Sequence, residues 1–145
     1  MADVRAVAKH FLSLSEEGTP LAITPLKLQK LVYYAQGFYL SEHKGPLFND
    51  QILAWDHGPV VRKLWEDYNK YKYFTIPKSE SDNNIQLLPE EIASIKRVWE
   101  KYGSYDGKTL EEMTHQEDPW LFTKKDQEIT INKIKQYFIE QPVLS

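Results

Sequence analysis

An imidazole directly follows a carboxylate at Asp56-His57, inside the run Ala54-Trp55-Asp56-His57-Gly58-Pro59-Val60-Val61. Histidine ordinarily titrates at about 6.5, so such a pair has the parts for general acid–base work. The same residues also have a structural use. Gly58-Pro59 can turn the chain and preset φ for a following helix, while Asp56 and His57 satisfy backbone groups at the turn. A second polar cluster, Met113-Thr114-His115-Gln116-Glu117-Asp118-Pro119-Trp120, sets His115 beside two acids. It lacks the paired-histidine spacing of zinc proteases, so no metal site is expected there. Thr114 or Asp118 can instead cap a short helix starting at Pro119. Trp120 would close over the core, its indole N–H finding a carboxylate or imidazole. Asp56, His57 and His115 would form a hydrolytic or metal-dependent site only if the fold brought them together.

Other chemistry is poorly represented. The sequence has no Gly-x-Gly-x-x-Gly, no Walker loop and no Gly-x-Ser-x-Gly elbow. With no cysteine, thiol nucleophiles, disulfide scaffolds and cysteine-rich zinc sites are excluded. No cofactor is implied. Lys27, Lys30, Tyr33 and Tyr34, and again Lys70, Lys72 and Tyr73, mix charge with aromatics as single-strand nucleic-acid surfaces do. A net charge of -3 weighs against that use, and snorkelling lysines on a helix surface account for the pattern equally well.

The elements that must position these residues are mostly helical. Val4, Val7, Ala8, Phe11 and Leu12 form one stripe, closed by Gly18 and Pro20. Thr24-Pro25 is an N-cap followed by proline at the first helical position. The helix it opens runs to about His43, with Leu28, Leu31, Val32, Ala35, Phe38 and Tyr39 on one face and Lys27, Lys30 and Tyr34 on the flank. A third helix is expected from Pro59, with Val61, Leu64, Trp65 and Tyr68 inward. A fourth follows Leu88-Pro89-Glu90-Glu91, with Ile92, Ile95, Trp99 and Tyr102 inward and Gly103 as its stop. The last runs from about Thr130, with Ile131, Ile134 and Phe138 inward. Between Gly45 and Pro59, alternation around an Asn49-Asp50 turn signal reads as a short β-hairpin. Lys78 to Asn84 reads as a mobile polar loop, and Ile85-Gln86-Leu87 as a brief strand. The expectation is a mainly α, compact single-domain bundle of about five to six helices with a small β element, spanning residues 1–145.

Within 145 residues a single core suffices, and 41% hydrophobic with 27% charged residues is ordinary globular usage. No stretch approaches the ~20 apolar residues of a membrane span, and the first residues do not read as a signal peptide. A soluble, cytoplasmic protein without membrane contact is expected. The aromatic fraction of 13%, with 9 Tyr and 4 Trp, suits either an aromatic core or a protein interface.

One ordered set of runs begins with Ile23-Thr24-Pro25-Leu26-Lys27-Leu28-Gln29-Lys30-Leu31-Val32-Tyr33-Tyr34-Ala35-Gln36-Gly37, then Pro46-Leu47-Phe48, Ala54-Trp55 and His57-Gly58-Pro59-Val60-Val61 with Leu64-Trp65. It continues through Leu110, Thr114-His115, Asp118-Pro119-Trp120, Ile134 and Tyr137-Phe138. Taken together, these segments resemble the Panacea domain, the SocA-like antitoxin family catalogued among phage-associated proteins. The resemblance implies a small helical antitoxin that neutralises a toxin by direct binding rather than catalysis, its partner encoded by an adjacent gene. Delivery of the toxin to a protease is a variant of that role, and a homodimer fits the surplus of aromatics. Some family members carry an added DNA-binding domain, for which this chain has no room. No catalytic residues follow from the resemblance. The matched polar and turn positions Lys27, Gln29, Lys30, Tyr34, Trp55, His57, Gly58, Pro59, His115, Asp118, Pro119 and Trp120 would shape the fold or the toxin surface. Exposed members of Tyr33, Tyr34, Trp65, Tyr68, Tyr71 and Tyr73 are the expected anchors. The alternatives are a small hydrolase or metal enzyme using Asp56, His57 and His115, and a nucleic-acid-binding regulator.

Overall fold

The computed structural model describes residues 1–81 and 86–143. Its first helix, α1 (Val4–Leu14), is capped by the Asp3 side chain, which accepts from the Arg5 N–H at 2.8 Å, and it buries the expected stripe. Thr24 accepts from the Lys27 N–H at 3.2 Å and opens α2 (Pro25–Glu42), with proline at its first turn.

Helix α2 departs from its expected one-faced character. Every residue from Lys27 to Phe38 is buried, including the supposed flank positions Lys27, Lys30 and Tyr34. The cause is its central position. It packs against α1, a third helix α3 (Arg62–Tyr68), a fourth α4 (Pro89–Tyr102), a fifth α5 (Gly107–Thr114) and the final helix α7 (Ile131–Glu140). A helix surrounded on all sides has no solvent face to offer its polar residues.

The hairpin is present with a different turn. Strand β1 (Ile52–Trp55) pairs antiparallel with β2 (Gly58–Val60) through Leu53 opposite Val60 and Trp55 opposite Gly58. Asp56-His57 therefore forms the two-residue connection, and Asn49-Asp50 lies before the first strand. Pro59 sits in β2, so α3 starts at Arg62 rather than at the proline. The sheet order β2-β1-β3 leaves β2 at an edge, where a residue without an N–H is tolerated. The third strand, β3 (Glu128–Ile129), pairs with β1 and was not expected from sequence.

Helix α4 begins where the acids suggested, the Leu88 N–H donating to Glu91 Oε1 at 2.8 Å. Its buried face is Glu91, Ser94, Ile95, Val98 and Tyr102; Ile92 is exposed and Trp99 half-buried. Helix α5, capped by Asp106, adds an element to the expected count, and α6 (Asp118–Leu121) forms the short turn expected at Pro119. Of the loop expected at 78–84, Lys78–Glu80 is a 3-10 turn and 82–84 lie outside the described residues, as does Ile85 of the brief strand. Gln86 and Leu87 are irregular.

The core centres on Tyr33, Tyr34, Tyr102 and Phe138, with Tyr34 stacked on Tyr102 at 4.5 Å and Tyr33 edge-on to Phe138 at 5.6 Å. Gly37 lets α7 approach α2, since a Cβ there would lie 2.3 Å from the Phe138 ring. Gly37→Ala should therefore destabilise by about 3 kcal/mol, the upper end of ordinary overpacking. Urea unfolding should show the lower midpoint with an unchanged slope.

Candidate functional site

The polar side chains of α2 fasten the irregular segments around it. Gln29 pairs with both backbone groups of Val61, receiving the N–H at 2.9 Å and donating to the carbonyl at 3.1 Å. Gln36 does the same across Leu47 and Phe48, at 2.7 and 2.9 Å. The Lys27 ammonium donates to the carbonyls of Pro20, Ala22 and Gly103, tying the loop before α2 to the end of α4. Lys30, with none of its surface exposed, donates to the Pro59 carbonyl at 2.8 Å.

These attachments hold the hairpin and α3 against α2, and a groove of about 710 Å³ opens where they meet. Buried Leu28, Gln29, Lys30, Val60, Leu64 and Tyr68 line its floor. Trp55, Trp65, Tyr73, His57 and the charged Lys72 and Lys108 form its rim. Trp65 is 46% exposed and Tyr73 95%, and Trp55 meets Trp65 edge-to-face at 5.8 Å. At the polar end, His57 Nδ1 lies 3.3 Å and Lys108 Nζ 4.0 Å from Glu111 Oε2. Gly58 has a φ of +104°, and a Cβ there would sit 2.7 Å from Thr114 Oγ1 and 2.9 Å from Lys30 Cε. Glycine is thus required both by conformation and by the close passage of Lys30.

The sequence profile described as antitoxin SocA-like, Panacea domain, matches residues 28–121, a span that takes in the hairpin, α3, α5 and most of the groove. The chain belongs to this family. Antitoxin SocA of Caulobacter vibrioides (strain NA1000 / CB15N) is 41% identical over 58 residues, covering 40% of this chain and 30% of that protein's length. No solved structure matches.

In this Panacea domain the resemblance-carrying residues divide into fasteners and rim. Lys27, Gln29 and Lys30 are the fasteners just described. Tyr34 is buried and donates to Glu117 Oε2 at 2.8 Å, with Tyr33 at 3.5 Å from the other oxygen. The Trp120 indole N–H donates to the Trp55 carbonyl at 2.7 Å, a backbone partner rather than the expected side chain. His115 stacks on Trp120 at 4.1 Å, and its buried Nε2 has no hydrogen-bond partner among the described residues. Asp118 opens α6, and Pro119 is buried in its first turn.

Asp56, His57 and His115 are divided among different neighbours: Asp56 pairs with Lys125 at 3.3 Å, His57 with Glu111, and His115 with Trp120. Among the described residues no three His, Asp or Glu side chains form a group able to hold a metal. The Lys27, Lys30, Tyr33 and Tyr34 surface imagined for nucleic acid does not exist, because all four are buried. Among the expected anchors, Tyr33, Tyr34 and Tyr68 belong to the core. Tyr71 is half-buried with its hydroxyl donating to Glu80, and Trp65 and Tyr73 stand on the surface. Sequence reasoning missed Glu111 and Lys108, which lie on the unanticipated α5.

Burial shifts three of these groups toward neutrality. Desolvation lowers Lys30 from 10.5 to about 7 against the opposing pull of Glu111, and lowers Lys27 to about 8 against that of Asp106. Desolvation raises Glu117 from 4.5 to about 7, opposed by its tyrosine hydrogen bonds. Between 4.5 and 7 the native state holds more protons at Glu117 than the unfolded chain, so stability from this group falls as pH rises. Between about 7 and 10.5 the unfolded chain holds more protons at Lys30, so stability from it rises with pH. Relative to the parent, Glu117→Gln should gain stability as pH is raised from 5 to 8, and Lys30→Met should lose ground from pH 7 to 10. Denaturant midpoints across that range test both signs.

Proposed function

We propose that this chain is an antitoxin that neutralises a toxin protein by binding it directly, and that the groove between α2, the hairpin and α3 is where the toxin docks. The observation that carries the reading is an aromatic-rimmed apolar groove, built largely from the matched region of an antitoxin-family domain. Specific interfaces cover about 800 Å² per partner and draw most of their affinity from a few aromatic or arginine anchors. Trp65 and Tyr73 are the exposed aromatics of the rim, with Arg62 placed over the Trp55 ring at 5.5 Å beside them. The toxin is read as the product of the adjacent gene in a bacterium or its prophage. The role asks for no catalysis, and the separate partners of Asp56, His57 and His115 suit that.

Co-expression with the neighbouring gene product tests the reading, scoring growth rescue and co-purification together. Rescue with a stable complex is the expected result; rescue with falling toxin levels and no complex would replace masking by delivery for degradation. In that assay Trp65→Ala and Tyr73→Ala should each weaken binding about 30-fold, the ~2 kcal/mol of an interface hot spot, with little change in melting. Tyr34→Ala should instead lose about 3–5 kcal/mol of stability as a large core truncation. Undiminished rescue by the Trp65→Ala/Tyr73→Ala double variant would remove the groove from the mechanism.

A further inference from the structure

Most polar groups in the walls of the groove are already bonded within the chain. Strand β2 is the edge of the sheet there, and Pro59 is its outward-facing residue. Ala54, opposite Pro59, gives its N–H to the Gln127 carbonyl and accepts the Asp126 N–H, so neither group reaches β2. Pro59 has no N–H, and its carbonyl accepts from Lys30 at 2.8 Å. Just past the strand, the N–H and carbonyl of Val61 pair with both amide atoms of Gln29 at 2.9 and 3.1 Å. The Asn69 amide nitrogen donates to the Trp65 carbonyl at 2.8 Å, and Glu111 Oε2 is approached by His57 and Lys108. Lys30 itself has no exposed surface, and its ammonium lies beneath Gly58. What an occupant meets is therefore mainly apolar, with Trp55, Val60, Leu64 and Trp65 prominent. Two exposed lysines, Lys72 and Lys108, stand on the rim, against one lining acid, Glu111, whose side chain is 8% exposed.

We infer that the groove receives a single amphipathic α-helix of the partner protein, its apolar face laid on Trp55, Val60, Leu64 and Trp65 and its flanks carrying acids toward Lys72 and Lys108. The inference rests on the groove being the docking surface. An extended segment would bring one N–H and one carbonyl per residue against walls that offer them few partners, and such groups are costly to bury unpaired. Strand addition to the sheet is closed as well, since the outward residue of β2 lacks an N–H and its carbonyl is taken. A helix closes its hydrogen bonds within itself and presents only side chains, which is what such walls accept. The groove's 710 Å³ falls among sites of ~300–1,000 Å³ that hold a whole drug-sized molecule, so more than one side chain enters it. Residues at i, i+3, i+4 and i+7 supply several from one helix face. Acids on the flanks meet the rim lysines, a complementarity that fixes register and approach more than affinity.

The test uses the intact chain in complex with the product of its adjacent gene. A p-benzoylphenylalanine at Tyr73 and, separately, at Asn69 should photo-crosslink to one segment of the partner, while the same group at the exposed Ile139 of α7 should not. An aspartate scan of that segment is then scored by affinity among variants that stay toxic when expressed alone, with alanine replacing aspartate where toxicity is lost. Binding should fall about tenfold at positions spaced i, i+3 or i+4 and i+7, because a charge is driven against apolar walls, with the residues between them tolerated. Proline at a tolerated position in the middle of the segment should abolish binding. In this chain Lys72→Glu should weaken the complex about fivefold, and lysine in place of a flanking partner acid should recover it. Losses at every second residue, loss at one position alone, crosslinks to several segments, or unchanged affinity of Lys72→Glu would each overturn the inference. Crosslinks from Ile139 with none from Tyr73 or Asn69 would remove the docking surface itself, so the helical occupant and the surface fail by different results.

Discussion

A buried helix that carries polar side chains among its apolar ones is the constraint on which the rest of this structure depends. Lys27, Gln29, Lys30 and Gln36 are inside the protein because the segments around α2 have backbone groups that no sheet or helix satisfies. Each side chain supplies the missing partner, and removing one would strand buried carbonyls or N–H groups at about 1–3 kcal/mol apiece. The apolar positions of α2 give the bundle its core. Its polar positions give the loops their places.

The groove is a consequence of that arrangement. Gln29 at Val61 and Lys30 at Pro59 pin the strand-to-helix passage from β2 into α3. This passage sets Trp55 against Trp65 and turns the rim of α3 outward. Gly58 completes the contact, because its positive φ and missing Cβ let the hairpin close over Lys30 and Thr114. On the opposite side, Glu117 and Trp120 draw α6 onto the tyrosine pair of α2 and onto the end of β1. A surface suited to binding thus sits on a frame held by hydrogen bonds as much as by packing.

Much of this was legible beforehand, and the exceptions have physical causes. Thr24-Pro25, Pro89-Glu90-Glu91 and Thr130 announced helix starts because capping is a local property of a few residues. The resemblance to the Panacea domain was legible too, being carried by short runs in order. Helix α5 was not, since Leu110 is its one buried aliphatic residue and two glutamates interrupt its pattern. Pro59 read as a helix start because proline suits that position, whereas only the sheet order shows it on an edge strand. Tyr34 read as a surface anchor because its hydroxyl partner, Glu117, lies 83 residues away in the chain. Which polar residues go inside depends on such distant partners, and periodicity along one segment does not contain them.

The most direct test of the account is hydrogen–deuterium exchange on this chain, alone and in complex with the product of its adjacent gene. The account predicts new protection concentrated in the hairpin turn and in residues 62–73, with the amides of α7 unchanged. Protection centred on the exposed side of α7 around Ile139, with residues 55–73 exchanging as in the free protein, would contradict it.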